Sequence, residues 1–322
     1  MIRMAEQAIE LRGVTKRFGQ HVAVDQLDLV VPRGSIYGFI GPNGSGKTTT
    51  LRMILRIFHP DRGSVVVLGQ SHGNVADDRL GYLPEERGLY KRMRVRDLLA
   101  YYAQLKGHFN CRADIQNWLV RLDAAGWADK KVDALSKGMA QKVQFIAAVI
   151  ARPELVILDE PFSGLDPVNM EMLRDAVLEL RNRGATVVFS THDMAMAERM
   201  CDTIFMIFRG HKVLDGTLDA IQAQYPADRV RVQLEDPQMP LPNLTGVSDV
   251  QRDGRCFEFR LDDVQRTHRV LQELTATTPV VYFQVVKPSL HDIFVRIARP
   301  EHEMASNMSW ETQAPSTANS YA

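Results

Sequence analysis

A net charge is missing from this sequence: Lys plus Arg and Asp plus Glu both total 39. A balanced chain lacks the electrostatic footprint of a dedicated nucleic-acid binder, so no nucleic-acid partner is expected. Cysteine is scarce. Cys111, Cys201 and Cys256 are odd in number, with no close pair and no CxxC, which excludes a disulfide framework and a cysteine zinc site and leaves three reduced small hydrophobes. Long apolar runs are missing as well: a stretch such as Phe145 to Ala151 falls far short of the ~18 residues a membrane helix needs. Met1 to Leu11 carries Arg3, Glu6, Gln7 and Glu10 with no continuous apolar core, so no signal peptide is expected. The chain reads as cytoplasmic, with any membrane role exercised through a partner.

What is present is ordinary globular usage, 45% hydrophobic and 24% charged, which excludes disorder throughout and collagen. The 322 residues allow about two domains. Ile9 to Val14 and the alternating Leu27 to Val31 read as strands. Ser35 to Ile40 reads as a buried strand, Gly41 to Gly46 as a glycine-rich turn, and Thr48 to Phe58 as an amphipathic helix through Leu51, Ile54, Leu55 and Phe58. Between about 87 and 152 the pattern is helical, with apolar spacings of three and four over Val95 to Leu105, Ile115 to Leu122 and Met139 to Ala151. Strands at Leu155 to Leu158, Thr186 to Phe189 and Thr203 to Phe208, with a helix over Val168 to Arg183, alternate as in a parallel α/β sheet.

The character changes near Tyr225 and Pro226. Strands are predicted at Val230 to Leu234, Val247 to Gln251 and Cys256 to Leu261, the last two joined across Arg252 to Arg255 as a hairpin. A helix over Asp263 to Leu274, a strand over Val280 to Val286 and a helix over Ser289 to Ile297 complete a small α+β domain. Pro300 to Ala322, rich in Ser, Thr, Asn and Ala, reads as a mobile tail.

The chemistry begins at Gly41-Pro42-Asn43-Gly44-Ser45-Gly46-Lys47-Thr48, which fits GxxxxGK[ST] at every fixed position, with a predicted strand before it and a helix after it. The glycines let backbone N–H groups turn inward on a phosphate, and the helix N-terminus adds partial positive charge. Lys47 would reach the β and γ phosphates and Thr48 would hold Mg²⁺, with Thr49 beside it. Leu155-Val156-Ile157-Leu158-Asp159-Glu160 supplies a buried strand ending in carboxylates. There Asp159 can stand beside the metal, and Glu160 can orient and polarise an attacking water.

Leu135-Ser136-Lys137-Gly138-Met139, ahead of that strand, resembles the signature motif of the ABC transporter ATPase family, usually LSGGQ. Ser163-Gly164-Leu165-Asp166-Pro167 resembles the family's D-loop, and His192 stands at its switch histidine. Phe18 matches the aromatic that stacks on adenine. The resemblance covers roughly the first 220 residues in the family's order. It implies an α/β fold: a P-loop NTPase (RecA-like) ABC ATPase core with a helical subdomain at about 87–152, spanning 1–222. A small α+β carboxy-terminal accessory domain follows at 225–298, and a tail at 299–322. It further implies ATP and Mg²⁺ as cofactors, Glu160 and His192 as catalytic residues, Thr48, Asp159 and Glu85 at the metal, Ser136 and Gly138 at the γ-phosphate of an opposed subunit, and Asp166 of the D-loop at the nucleotide.

Two departures stand out. The family's usual glutamine after the strand that follows the phosphate-loop helix is replaced by Glu85, in Tyr82-Leu83-Pro84-Glu85-Glu86-Arg87-Gly88-Leu89-Tyr90, and the signature carries Lys137 and Met139. These features, with Pro288-Ser289-Leu290-His291-Asp292-Ile293-Phe294-Val295, resemble the branch of bacterial ATP-binding subunits of drug or sodium exporters. The expectation is an ATPase, as a homodimer or heterodimer, driving a separate membrane permease from the inner face of the membrane. The competing expectation is an ABC-type ATPase acting on ribosomes or DNA.

Overall fold

The computed structural model describes residues 7–71, 78–86 and 88–298. The tail expected over Pro300 to Ala322, the first six residues and Arg87 lie outside the described residues. By internal contacts the chain divides into two units, one ending at Leu218 and one beginning at Asp219.

The first unit opens on the antiparallel hairpin β1 (Gln7–Phe18) and β2 (His21–Pro32). Both strands run well past their sequence-predicted spans, because β-bulges between Leu11 and Lys16 let β1 stay paired through a stretch that does not alternate. β3 (Ile36–Ile40) is buried at every residue and feeds the phosphate-loop sequence into α1 (Lys47–Ile54). That helix stops four residues before Phe58. Arg56 takes φ 59°, the Ile57 N–H donates to Arg52 O and the Arg56 N–H to Met53 O, the paired bonds of a Schellman terminus. β4 (Arg62–Val67) joins β1, and β5 (Leu80–Leu83) follows.

The helical stretch contains α2 (Val95–Leu105), α3 (Arg112–Arg121) and α4 (Lys137–Val149). It packs around Leu98, Leu99, Trp118, Phe145 and Ile146. Then β6 (Leu155–Asp159), α5 (Pro167–Asn182), β7 (Thr186–Thr191), α6 (Met194–Met200), β8 (Thr203–Phe208) and β9 (His211–Gly216) complete the unit. The six-stranded sheet has the order β5-β6-β7-β3-β8-β9, parallel except for β9. Its central strands are buried on both faces, which is why they read as unbroken apolar runs. Phe39 stacks on Phe205 at 4.7 Å within this core.

The second unit begins one residue into α7 (Leu218–Gln222) and holds β10 (Arg229–Leu234), β11 (Val247–Asp253), β12 (Cys256–Leu261), α8 (Thr267–Thr277), β13 (Val280–Val286) and helical residues 290–298. Its antiparallel sheet has the order β11-β12-β10-β13. Val230, Val232, Phe257, Phe259, Val270 and Leu274 form its core. Asp253 pairs with Cys256, so the hairpin turns on Gly254 and Arg255 alone, with Gly254 at φ 60°. The helix expected from Asp263 begins as a single 3-10 turn, Val264–Arg266, before α8. No helix of the described residues is long and apolar enough to cross a membrane.

Candidate functional site

Three strands of the parallel sheet end at one place. The register sets Ile40 beside Thr191 and Asp159 beside Ser190, so the loop after β3 and the carboxylates after β6 meet at the carboxyl ends of the strands, where open α/β sheets bind ligands. The loop needs glycine at position 46. Gly46 takes φ 109°, and a Cβ there would stand 2.5 Å from the carbonyl oxygen of Ala23. Lys47 is 6% exposed; its ammonium donates to Gly41 O at 2.6 Å and Pro42 O at 3.0 Å. Burial lowers its pKa, opposed by the negative charges of Glu160, Asp159 and Glu85.

The carboxylates are held from behind. Ser190, fully buried, accepts from the Glu160 N–H at 3.0 Å and donates to Asp159 Oδ1. Glu160 takes φ 49°, a left-handed backbone costing about 1–3 kcal/mol for a non-glycine residue. Its Oε1 lies 3.0 Å from His192 Nδ1, on an imidazole 60% exposed. Gln141 of α4 donates to Pro161 O at 3.0 Å, and Gln144 to Pro84 O and Glu86 O at 3.3 Å. One helix thereby braces both the segment after Glu160 and the segment carrying Glu85.

A cavity of about 390 Å³ opens over the loop and is lined by Phe18, Asn43, Gly44, Gly46, Lys47, Thr48, Thr49, Glu85 and Glu160, with His21 and Ala23. Gly41, Pro42 and Ser45 complete the loop beneath it, and Asp159 is buried behind Thr48, whose hydroxyl donates to Asp159 Oδ1 at 3.4 Å. Asp159 Oδ2 and Ser45 Oγ are buried without a hydrogen-bond partner among the described residues. An orphaned carboxylate oxygen beside a hydroxyl is the donor set a hard divalent cation takes, so these residues fit Mg²⁺. Phe18 stands at the rim, 43% exposed, edge-on to Phe58 at 5.5 Å.

Ser136, Gly138 and Asp166 do not line this cavity. Ser136 caps α4, accepting from the Met139 N–H at 3.3 Å, and Asp166 caps α5, accepting from the Asn169 N–H at 3.0 Å. Hydrogen bonds from the Asn169 N–H and side-chain amide hold the Asp166 carboxyl below its ordinary pKa. The Lys137 side chain lies against Gly164, where a Cβ would meet its Cε at 2.8 Å. Sequence reasoning missed four contributors: Ser190, Gln141, Gln144 and His21. Ser190, Gln141 and Gln144 announce no chemistry of their own and matter only through strand register and helix packing. His21 follows the turn after Phe18, and hairpin geometry alone turns it toward the loop.

Comparison with known proteins identifies the family. The model of the ABC transporter family matches residues 24–163, and that of the ATP-binding protein DrrA1-3-like C-terminal domain matches 216–298. The ABC transporter ATP-binding protein YhaQ of Bacillus subtilis is 40% identical over 284 residues, 88% of this chain and 95% of that protein. The daunorubicin resistance ATP-binding protein DrrA3 of Streptomyces coeruleorubidus is 32% identical across 91% of this chain and 96% of its own. The Nod factor export ATP-binding protein I of Paraburkholderia xenovorans is 32% identical across 92% and 99%. A solved ATP-binding subunit of an ABC transporter superposes with a TM-score of 0.63 at 30% identity, covering 67% of this chain and 92% of that one. The fold and the phosphate loop define a P-loop nucleotide-binding protein. The chain belongs to the family of ABC transporter ATP-binding proteins and carries the DrrA-like carboxy-terminal domain.

Proposed function

We propose that this chain is the ATP-hydrolysing subunit of an exporter, driving a separate membrane permease from the cytoplasmic face of the membrane. One observation carries the hydrolytic part: Lys47, Thr48, Asp159, Glu160 and His192 converge on one site, with Glu160 held in a strained backbone and tied to both Ser190 and His192. A pure nucleotide binder has no need of that second, braced carboxylate. The export part is supported by the relatives, whose names include daunorubicin resistance and Nod factor export. The ribosome or DNA alternative finds no support among them.

In this reading the ATPase domain spans 1–222, with its helical subdomain at about 87–152, and the accessory domain 225–298. Lys47 and the loop N–H groups bind the phosphates, and Phe18 packs on the base. Thr48 and Asp159, with Glu85 nearby, would hold Mg²⁺, which when bound neutralises phosphate charge. Glu160 accepts the proton of the attacking water, and His192 fixes the orientation of that carboxylate while facing the γ-phosphate side. Ser136, Gly138 and Asp166, lying away from the cavity of their own chain, serve the nucleotide of an opposed subunit, identical or related. Closure of that pair then depends on nucleotide, because only differential affinity for the closed state shifts the equilibrium.

Glu160→Gln tests the assignment. ATP binding measured by calorimetry is retained, turnover falls at least ~100-fold, the scale of a lost general base, and dimers accumulate with ATP on size exclusion. Undiminished hydrolysis refutes the role given to Glu160.

A further inference from the structure

The four-stranded sheet of the carboxy-terminal unit has two edges, and they are built differently. The β11 edge carries Asp249, Arg252 and Asp253, an irregular register between Ser248 and Gln251, and Asp249 at φ 53°. Charge and bulging are the devices by which edge strands avoid pairing with other chains. β13, at the opposite edge, has no charge, glycine or proline anywhere from Val280 to Val286. Its one register irregularity lies at the Val280 end. Val281 is 63% exposed, Tyr282 42% and Val285 37%. Phe283 and Val285 pair with Val232 and Val230 of β10, both fully buried. Directly paired residues share a face, so Phe283 and Val285 lie on the core side of the sheet, and the register shift brings Val280 opposite buried Leu234 and leaves Val281 exposed beside it. The core reaches this edge through Val280 and Phe283, and Val281 and Val285 are left in water.

The strand is also self-complementary. In Val280-Val281-Tyr282-Phe283-Gln284-Val285-Val286, antiparallel pairing of two copies centred on Phe283 sets Val281 against Val285, Tyr282 against Gln284, and Phe283 against its own equivalent. No like charges meet. Tyr282 already hydrogen-bonds Gln284 along the strand, and the same two groups face each other across the twofold. A twofold interface uses one patch on both subunits and must be complementary to itself.

We propose that β13 pairs antiparallel with β13 of a second copy of this chain, joining the two carboxy-terminal sheets into one of eight strands, without nucleotide. A seven-residue edge is smaller than a free-standing interface, so the pairing is a weak tether. It raises the effective concentration of one ATPase domain near the other. The inference deepens the pairwise association proposed above, and its test keeps the two apart.

Sedimentation equilibrium of the full chain without nucleotide is the measurement. The wild type forms a reversible dimer. V281K/V285K weakens it at least tenfold while keeping the wild-type circular dichroism spectrum, and the same two lysines added to E160Q leave ATP-driven dimerisation in place. V281C/V285C reads the register directly: paired strands bring these positions within disulfide reach, and mild oxidation yields a covalent dimer that the wild type, with its native cysteines, does not. A monomeric wild type overturns the proposal, as does an equally strong dimer in the folded lysine variant or a cysteine variant that stays uncrosslinked. If dimers appear only after removal of residues 299–322, the chain's own terminus covers the edge, and the proposal also fails. Loss of ATP-driven dimerisation in E160Q with the nucleotide-free dimer intact counts against the closure reading alone.

Discussion

Replacing Ser190 with alanine separates positioning from binding in the site. The hydroxyl sits between two groups: it donates to Asp159 Oδ1 and accepts from the Glu160 N–H at 3.0 Å, with no exposed surface. Its removal leaves a buried N–H unpaired, which costs about 1–3 kcal/mol, and deletes a bond to a carboxylate worth about 1.5–3 kcal/mol. Partial relaxation of the neighbouring chain brings the expected destabilisation to about 3 kcal/mol. The Glu160 backbone, at φ 49°, is held in place by that bond and relaxes once it is gone. Each ~1.4 kcal/mol of lost transition-state positioning is tenfold in rate, so turnover falls about tenfold to a hundredfold. Because Ser190 does not line the cavity, ATP affinity changes little. Denaturant unfolding gives the stability, and steady-state ATPase kinetics with ATP-binding calorimetry gives the split. Wild-type stability and turnover in Ser190→Ala would show that Ser190 braces nothing.

Gly46→Ala forces a Cβ to within 2.5 Å of a backbone carbonyl at a φ that alanine rarely adopts; nucleotide affinity is expected to fall at least tenfold, and unchanged calorimetric binding would refute the loop geometry. Burial lowers the pKa of both Lys47 and Lys142, so between their folded and unfolded values the unfolded chain binds more protons and stability rises with pH. The K47M/K142M variant is therefore expected to lose that alkaline rise below pH ~10.4, and superimposable stability curves would sink the idea. Asp228 is 5% exposed. Burial pushes its carboxyl up, but hydrogen bonds from Arg296 at 2.9 Å and Arg260 at 2.7 Å outweigh it and leave the pKa below the ordinary value. This contribution is present above the unfolded pKa and is lost as pH falls through the folded one. Asp228→Asn, discounted for the partly exposed arginines, costs about 1–2 kcal/mol at neutral pH. It also flattens the acid limb, a change that thermal unfolding against pH detects.

The sequence by itself determined the elements whose chemistry is local. Gly41 to Thr48 carries its own turn and helix start, Leu155 to Asp159 is apolar enough to be buried on both faces, and Val95 to Leu105 shows its period so plainly that α2 has the predicted bounds. The signature and switch residues were legible through their order along the chain, which tied them to a known family. Short-range signals failed where geometry overrides periodicity: the bulged β1, the left-handed stop at Arg56 and the split start of α8. Only the tertiary structure decided which residues act together. Strand register, not spacing in sequence, sets Ser190 behind Asp159 and Glu160, thirty-one and thirty residues away. Packing of α4 lets Gln141 and Gln144 brace two segments at once, while the same fold leaves Ser136, Gly138 and Asp166 outside their own chain's cavity. Sheet order, finally, places β13 at an edge and β10 inside. β10 alternates Arg229, Arg231 and Gln233 with apolar residues and β13 carries no charge, yet neither announces its place, because the position of a strand in a sheet is a property of its neighbours.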